Sequence, residues 1–243
     1  HSIPHHGTDA REHVGICILG NLASHFQPSP MKYLSLEIRW FAEGPVPGEW
    51  KAWFAAGHRL PDPGERTDHY LLDTQEALNV KLREGRVEVK QRLGTPRRFQ
   101  LDDRYSGWRE EWVKWSFGLD EAEEYVQTAA ADPASWLAVG KKRYLRTFTL
   151  DEAGQLCEAD PDQWLPAGCG VELTELTVGE HRWHTVGLEA FGEKNDRKKV
   201  FDTAARSLLK RTEAPALPLE QSLGYAAWIS EFYPKMVGAG RAE

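Results

Sequence analysis

Residues Leu78 to Arg92 read LNVKLREGRVEVKQR, with cations at alternate positions on both sides of a glycine-containing turn. Successive side chains of a β-strand point to opposite faces, so Asn79, Lys81 and Arg83 share one face while Val80 and Leu82 share the other. After Glu84, Gly85 and Arg86 the alternation resumes, with Val87 and Val89 opposed to Glu88, Lys90 and Arg92. The pattern predicts a β-hairpin whose polar face carries Lys81, Arg83, Lys90 and Arg92. Cations two residues apart on a strand lie about 7 Å from each other and repel by roughly 2 kcal/mol at an effective dielectric of about 20. Either water screens that face, or the face is enclosed and an anion neutralises it.

Neighbouring segments repeat the pattern. Leu34 to Phe41, LSLEIRWF, sets Leu34, Leu36, Ile38 and Trp40 against Ser35, Glu37 and Arg39. Arg66 to Thr74 places Arg66, Asp68 and Tyr70 at alternate positions, and Arg109 to Phe117 is an aromatic-rich strand. Lys141 to Leu150 is strand-like and basic, and Val171 to Leu176 and Trp183 to Phe191 form two more strands around Gly179. Helices are expected at Glu49 to Ala56, Leu119 to Ala131, Arg197 to Arg211 and Leu219 to Phe232. The expected fold is α+β: an eight-stranded antiparallel β-barrel flanked by helices. If its apolar faces pack outward against the helices, the charged faces line the interior; a sheet with its charged face toward water is the alternative.

Composition narrows the partners. The 243-residue chain carries a net charge of -7, which argues against general nucleic-acid binding. An anion site must then be a local concentration of cations. Cys17, Cys157 and Cys169 show no CxxC spacing, and a reduced, cytoplasmic location is the simplest expectation. The apolar run Val14 to Leu19 is too short to span a bilayer and lacks the layout of a secretory signal. Residues 1–30 read as a loose or non-native extension, 31–235 as one domain and 236–243 as a tail. The ten tryptophans are compatible with a homodimer, tryptophan being favoured at interfaces.

No HExxH, P-loop, GxSxG or GxGxxG signature is present. What remains is a set of carboxylates among cations. Glu37, Glu111, Glu172 and Glu189 come from four strands, and carboxylate oxygens suit Mg²⁺ or Mn²⁺, which also take substrate phosphate oxygens. Each glutamate could equally serve as the salt-bridge partner of a neighbouring arginine.

From Met31 to Tyr233 the chain resembles the CYTH-like proteins, or triphosphate tunnel metalloenzymes. The resemblance rests on the order of the first strand, RTDHYLLDT, LNVKLREGRVEVKQR, the basic strand with Lys141 and Arg143, the late strands with Glu172 and Glu189, and the C-terminal helix with Ser222 and Tyr225. It implies a tunnel lined with Arg, Lys and Glu that acts on triphosphate groups with a divalent metal. Carried over by position, Arg39, Arg66, Lys81, Arg83, Lys90, Arg92, Lys141 and Arg143 bind phosphate oxygens, with Arg146 in reserve. Glu37, Glu111, Glu172 and Glu189 hold metal or orient water, and Glu37, Lys90 and Glu189 form the catalytic set. The family signature ExExK reads Ser35, Glu37, Arg39 here. Arg keeps the charge and can grip phosphate bidentately, whereas Ser removes a carboxylate. The resemblance therefore implies a phosphohydrolase acting on tripolyphosphate or an organic triphosphate, or else a tunnel that binds such a ligand without turnover.

Overall fold

The alternating hairpin is one wall of a closed barrel. The computed structural model of the chain describes residues 31–72, 75–118, 131–160, 163–210 and 214–238; the expected helix at 119–131 and the extension at 1–30 lie outside these, apart from Ala131. Ten strands are described: β1 (Met31–Glu43), β2 (Gly64–Leu71), β3 (Leu78–Arg83), β4 (Arg86–Arg92), β5 (Arg97–Gln100), β6 (Ser106–Gly118), β7 (Trp136–Leu150), β8 (Leu156–Glu158), β9 (Gly168–Val178) and β10 (His181–Phe191). Three α-helices accompany them: α1 (Gly48–Ala55), α2 (Lys194–Leu209) and α3 (Tyr225–Gly238).

Eight strands run antiparallel in the order β1-β10-β9-β7-β2-β3-β4-β6, and β6 pairs back to β1 to close the barrel. β5 extends β6 and β8 extends β7. The seam between β2 and β3 is thin, joined at His69↔Leu82 and Tyr70↔Lys81. In the hairpin, Glu84 and Gly85 both have positive φ, 47° and 68°. That is the backbone of a two-residue primed turn, one residue tighter than the sequence suggests, and Gly85 suits it because it has no Cβ.

The barrel is apolar outside and charged inside. Leu36, Ile38 and Trp40 of β1, Val171 and Leu173 of β9, and Val186 and Leu188 of β10 point outward. They form one core with Trp50, Trp53 and Phe54 of α1 and Val200, Phe201 and Leu208 of α2. At one end the inner face also turns apolar: Phe41, Tyr70, Val139, Leu176 and Trp183 pack around Trp228 and Ile229 of α3. Phe41 stacks on Trp228 with ring centroids 5.0 Å apart, so α3 plugs this end. The expected helix at Leu219 to Phe232 is divided: a 3-10 turn covers Leu219–Gln221, and α3 begins only at Tyr225. Between them, Leu223 N–H donates to Arg39 O, so tertiary bonding replaces a helical turn.

Trp228 is fully buried. Trp228→Ala is expected to lower stability by about 3–5 kcal/mol in urea unfolding, as for large aromatic truncations in cores. Trp164→Ala, at a side chain 83% exposed, should stay within about 0.5 kcal/mol.

Candidate functional site

Strand alternation brings eight cations and five carboxylates to the walls of a narrow cavity of about 110 Å³ inside the barrel. The cations are Arg39, Arg66, Lys81, Arg83, Lys90, Lys114, Lys141 and Arg143, and the carboxylates are Glu37, Glu88, Glu110, Glu172 and Glu189. Asp68, fully buried, lies behind the wall. This positive excess sits inside a protein of net charge -7.

Two carboxylates act as hubs. Glu172 accepts from Arg39 at 2.6 Å and from Arg143 at 3.0 Å. Asp68 meets Lys141 at 2.9 Å, Arg66 at 2.9 Å and Lys81 at 3.7 Å. Gly187 permits the first contact: a Cβ there would come within 2.7 Å of the Arg39 guanidinium carbon. On the hairpin wall Lys81 pairs with Glu88 at 2.8 Å. Lys90 Nζ lies 2.6 Å from Glu37 and 3.8 Å from Glu189. Tyr225 stands at the border with the plug, its ring 3.9 Å from Lys141 Nζ and 5.0 Å from the Arg39 guanidinium.

Burial and neighbouring charge set the protonation states. Burial, with the surrounding cations, pushes Lys81 and Lys141 down to about 8 despite Asp68. Burial would raise Glu172 and Asp68, but the charges of Arg39 and Arg143, and of Lys141, Lys81 and Arg66, outweigh it and hold both far below the usual carboxylate range. Glu37 and Glu189 are direct cross-strand partners with opposite shifts. Burial opposes Glu37's ionisation, but Lys90 and Ser35 overcome it and the carboxyl is lowered. Burial and then the charge of Glu37 raise Glu189. Carboxyls driven apart in this way can divide proton-donating and proton-accepting roles.

Of the residues expected from sequence, Glu37, Arg39, Arg66, Lys81, Arg83, Lys90, Lys141, Arg143, Glu172 and Glu189 converge on the lumen. Glu111 does not: it opposes Leu36 across β1–β6 and faces outward, 3.9 Å from Arg197. Glu110, opposite Glu37, takes the inward place. Arg146 also points outward, bonded to Glu158 and to Phe54 O. Arg92 turns aside to Glu110 at 2.7 Å, at the edge of the lumen. The sequence places Asp68 and Glu88 on the polar strand faces by parity and names Tyr225 in the resemblance, without giving any of them a role in the site. Glu110, Lys114 and Gly187 it does not single out, and the roles of Tyr225 and Gly187 depend on tertiary contacts.

The residues fit a divalent cation in donor type. Among the described residues no three His, Cys, Asp or Glu side chains form a metal-holding group, and the Lys90 ammonium lies between Glu37 and Glu189. Magnesium, however, is held through one or two carboxylates plus substrate phosphates, a number that Glu37 and Glu189 supply. Comparisons with protein-family models and with curated proteins return no match. No helix among the described residues is long and apolar enough to cross a membrane.

Asp68→Asn removes the carboxylate shared by three cations and should cost about 3–5 kcal/mol, as when one partner of a buried ion pair is lost. Urea unfolding checks this; a loss below about 1 kcal/mol would show that the cations do not depend on Asp68.

Proposed function

We propose that the lumen binds a short phosphate chain, inorganic tripolyphosphate or the triphosphate of an organic ester, and that the protein hydrolyses its terminal anhydride. The observation that carries this reading is a surplus of buried positive charge and donors. Asn79 Nδ2 and Arg143 Nε are buried without a hydrogen-bond partner, and both residues line the lumen. Phosphate oxygens are acceptors and anions at once, so one chain would satisfy both needs. The cations lie on several strands around the lumen, Lys81, Arg83 and Lys90 on β3 and β4 and Arg39, Lys141 and Arg143 on β1 and β7, so an extended ligand would touch more than one strand.

Catalysis in this reading is positioning and charge stabilisation. Lys90 and Arg39 would hold the terminal phosphoryl group, and Glu189, the more proton-retaining of the Glu37–Glu189 pair, would take a proton from the attacking water. The water oxygen forms the new bond to phosphorus as the anhydride P–O bond breaks, and the shortened chain leaves as the anion. Mg²⁺ or Mn²⁺, held by Glu37 and Glu189 with phosphate oxygens, would supply charge neutralisation. The likeness to CYTH-like proteins supports the same reading. A cytoplasmic setting suits it, since Cys157 and Cys169 are free thiols among the described residues.

One observation favours binding without turnover. Ser35 replaces the first carboxylate of the ExExK signature, and its hydroxyl donates to the same Glu37 oxygen that accepts from Lys90. Tight tripolyphosphate binding with no phosphate release in Mg²⁺, Mn²⁺ or Co²⁺ would establish that alternative.

Two measurements test the main reading. Phosphate release from tripolyphosphate should require divalent metal and fall at least about 100-fold, ~2.7 kcal/mol of transition-state stabilisation, in Glu37→Gln and in Lys90→Ala; unchanged rates in both would remove these residues from the site. Tripolyphosphate affinity should also decline as pH rises through about 8, where Lys81 and Lys141 lose their protons. Because the bound anion favours the charged lysines, binding near pH 8 should take up protons, seen as a calorimetric heat that varies with the ionisation enthalpy of the buffer. An affinity constant up to pH 9.5 would contradict it.

A further inference from the structure

A second cavity, of about 720 Å³, lies beside α3. It adjoins the lumen, since Glu110 and Gly224 line both. β6 runs past both: its inward side chains are Lys114, Trp112 and Glu110 within the barrel, and Trp108 follows about 7 Å further along. There β6 has left β1 and β4 and pairs with β5. Trp108 lines the second cavity with its side chain 40% exposed. Its backbone is held by the β5 ladder and by donation from its N–H to Ser222 Oγ at 2.8 Å.

The junction is narrow and polar. Arg92 donates to Glu110 at 2.7 Å, lies 6.0 Å from the Trp112 ring centroid, and keeps its buried Nε without a hydrogen-bond partner. At Gly224 a Cβ would come within 2.9 Å of Glu110 Oε2, so a side chain there would push the carboxylate from the junction.

The chemistry of this cavity differs from that of the lumen. Trp108, Pro96 and Leu223 offer apolar surface, Glu76 and Glu231 add carboxylates, and Arg92 is the one cation of the lining among the described residues. A bare phosphate chain would meet repulsion there. A flat heterocycle could stack on the indole and give its amino N–H groups to the carboxylates, in a volume within the usual range for small-molecule sites.

We propose that this cavity is the subsite for the organic end of the substrate, a planar nitrogen heterocycle whose ester-linked phosphate chain passes Arg92 into the lumen. The proposal rests on the phosphate-binding reading of the lumen and narrows it from inorganic polyphosphate to an organic triphosphate.

Calorimetry with ATP, CTP and tripolyphosphate on the wild type, Trp108→Ala, Trp108→Phe and Lys90→Ala tests it. Wild type should bind at least one nucleotide more tightly than tripolyphosphate. Trp108→Ala should weaken that nucleotide about 10-fold, within the range for loss of one stacked base, while leaving tripolyphosphate within about 2-fold. Trp108→Phe should retain most of the nucleotide affinity, and Lys90→Ala should weaken every ligand. If wild type binds tripolyphosphate but neither nucleotide more tightly, or if Trp108→Ala affects all ligands alike or none, the subsite is overturned and the lumen reading stands. If wild type binds none of the three, both fall.

Discussion

A closed barrel with its charges turned inward must pair almost every charge it buries. Removing an ion from water costs several kcal/mol even after relaxation, and this lumen holds more cations than carboxylates. The hubs answer that demand: Glu172 serves two arginines and Asp68 serves three cations. Sharing has a residue. Lys81 and Lys141 remain protonated only up to about pH 8, because burial and then the neighbouring cations outweigh the attraction of Asp68 and, for Lys81, of Glu88. The same inversion dictates the outside, where the apolar strand faces must be covered and α1 and α2 cover those of β1, β7, β9 and β10.

The inner face is divided between charge and plug, and Tyr225 marks the division. Its ring lies against Lys141 and Arg39 while stacking on Tyr70, with centroids 5.5 Å apart. An aromatic face orders a cation without neutralising it, whereas a carboxylate in that place would cancel the charge. Burial then raises the Tyr225 phenol to about 12, so it stays neutral and does not become another anion in the lumen. The plug thus closes one end without adding a further negative charge beside Lys141 and Arg39.

The barrel and most of its lining were legible in the sequence because period-two alternation survives wherever one face is apolar and the other charged. The run Lys141-Lys142-Arg143 fits either parity and rests on the resemblance, but Glu37 with Arg39 and Lys81 with Arg83 follow from that rule alone. It fails at Arg109-Glu110-Glu111-Trp112, where adjacent glutamates fit either parity and the following Trp112 and Val113 are both apolar. Only the pairing of Glu110 with Glu37 across β1–β6 decides between them. β5 and β8, with four and three residues, are too short to show alternation. Arg92 follows the hairpin's parity but lies at the strand end, where Glu110 draws it out of the lumen. The role of Asp68 depends on Lys141, more than seventy residues later, and no local pattern records such a meeting.

These internal pairs also bear on selectivity under the proposed function. A ligand entering between Lys90 and Glu37, 2.6 Å apart, or between Arg39 and Glu172, also 2.6 Å apart, must loosen contacts that already stabilise the cations. A single phosphate would replace one such contact while bringing new repulsion from the carboxylate it displaces. A chain of phosphates would engage several cations at once from different strands, so the disruption would be shared among more new contacts. The carboxylates thereby act against small anions as well as holding the walls together. Discrimination by chain length then arises from the ion-pair network itself, without a contact dedicated to counting phosphates.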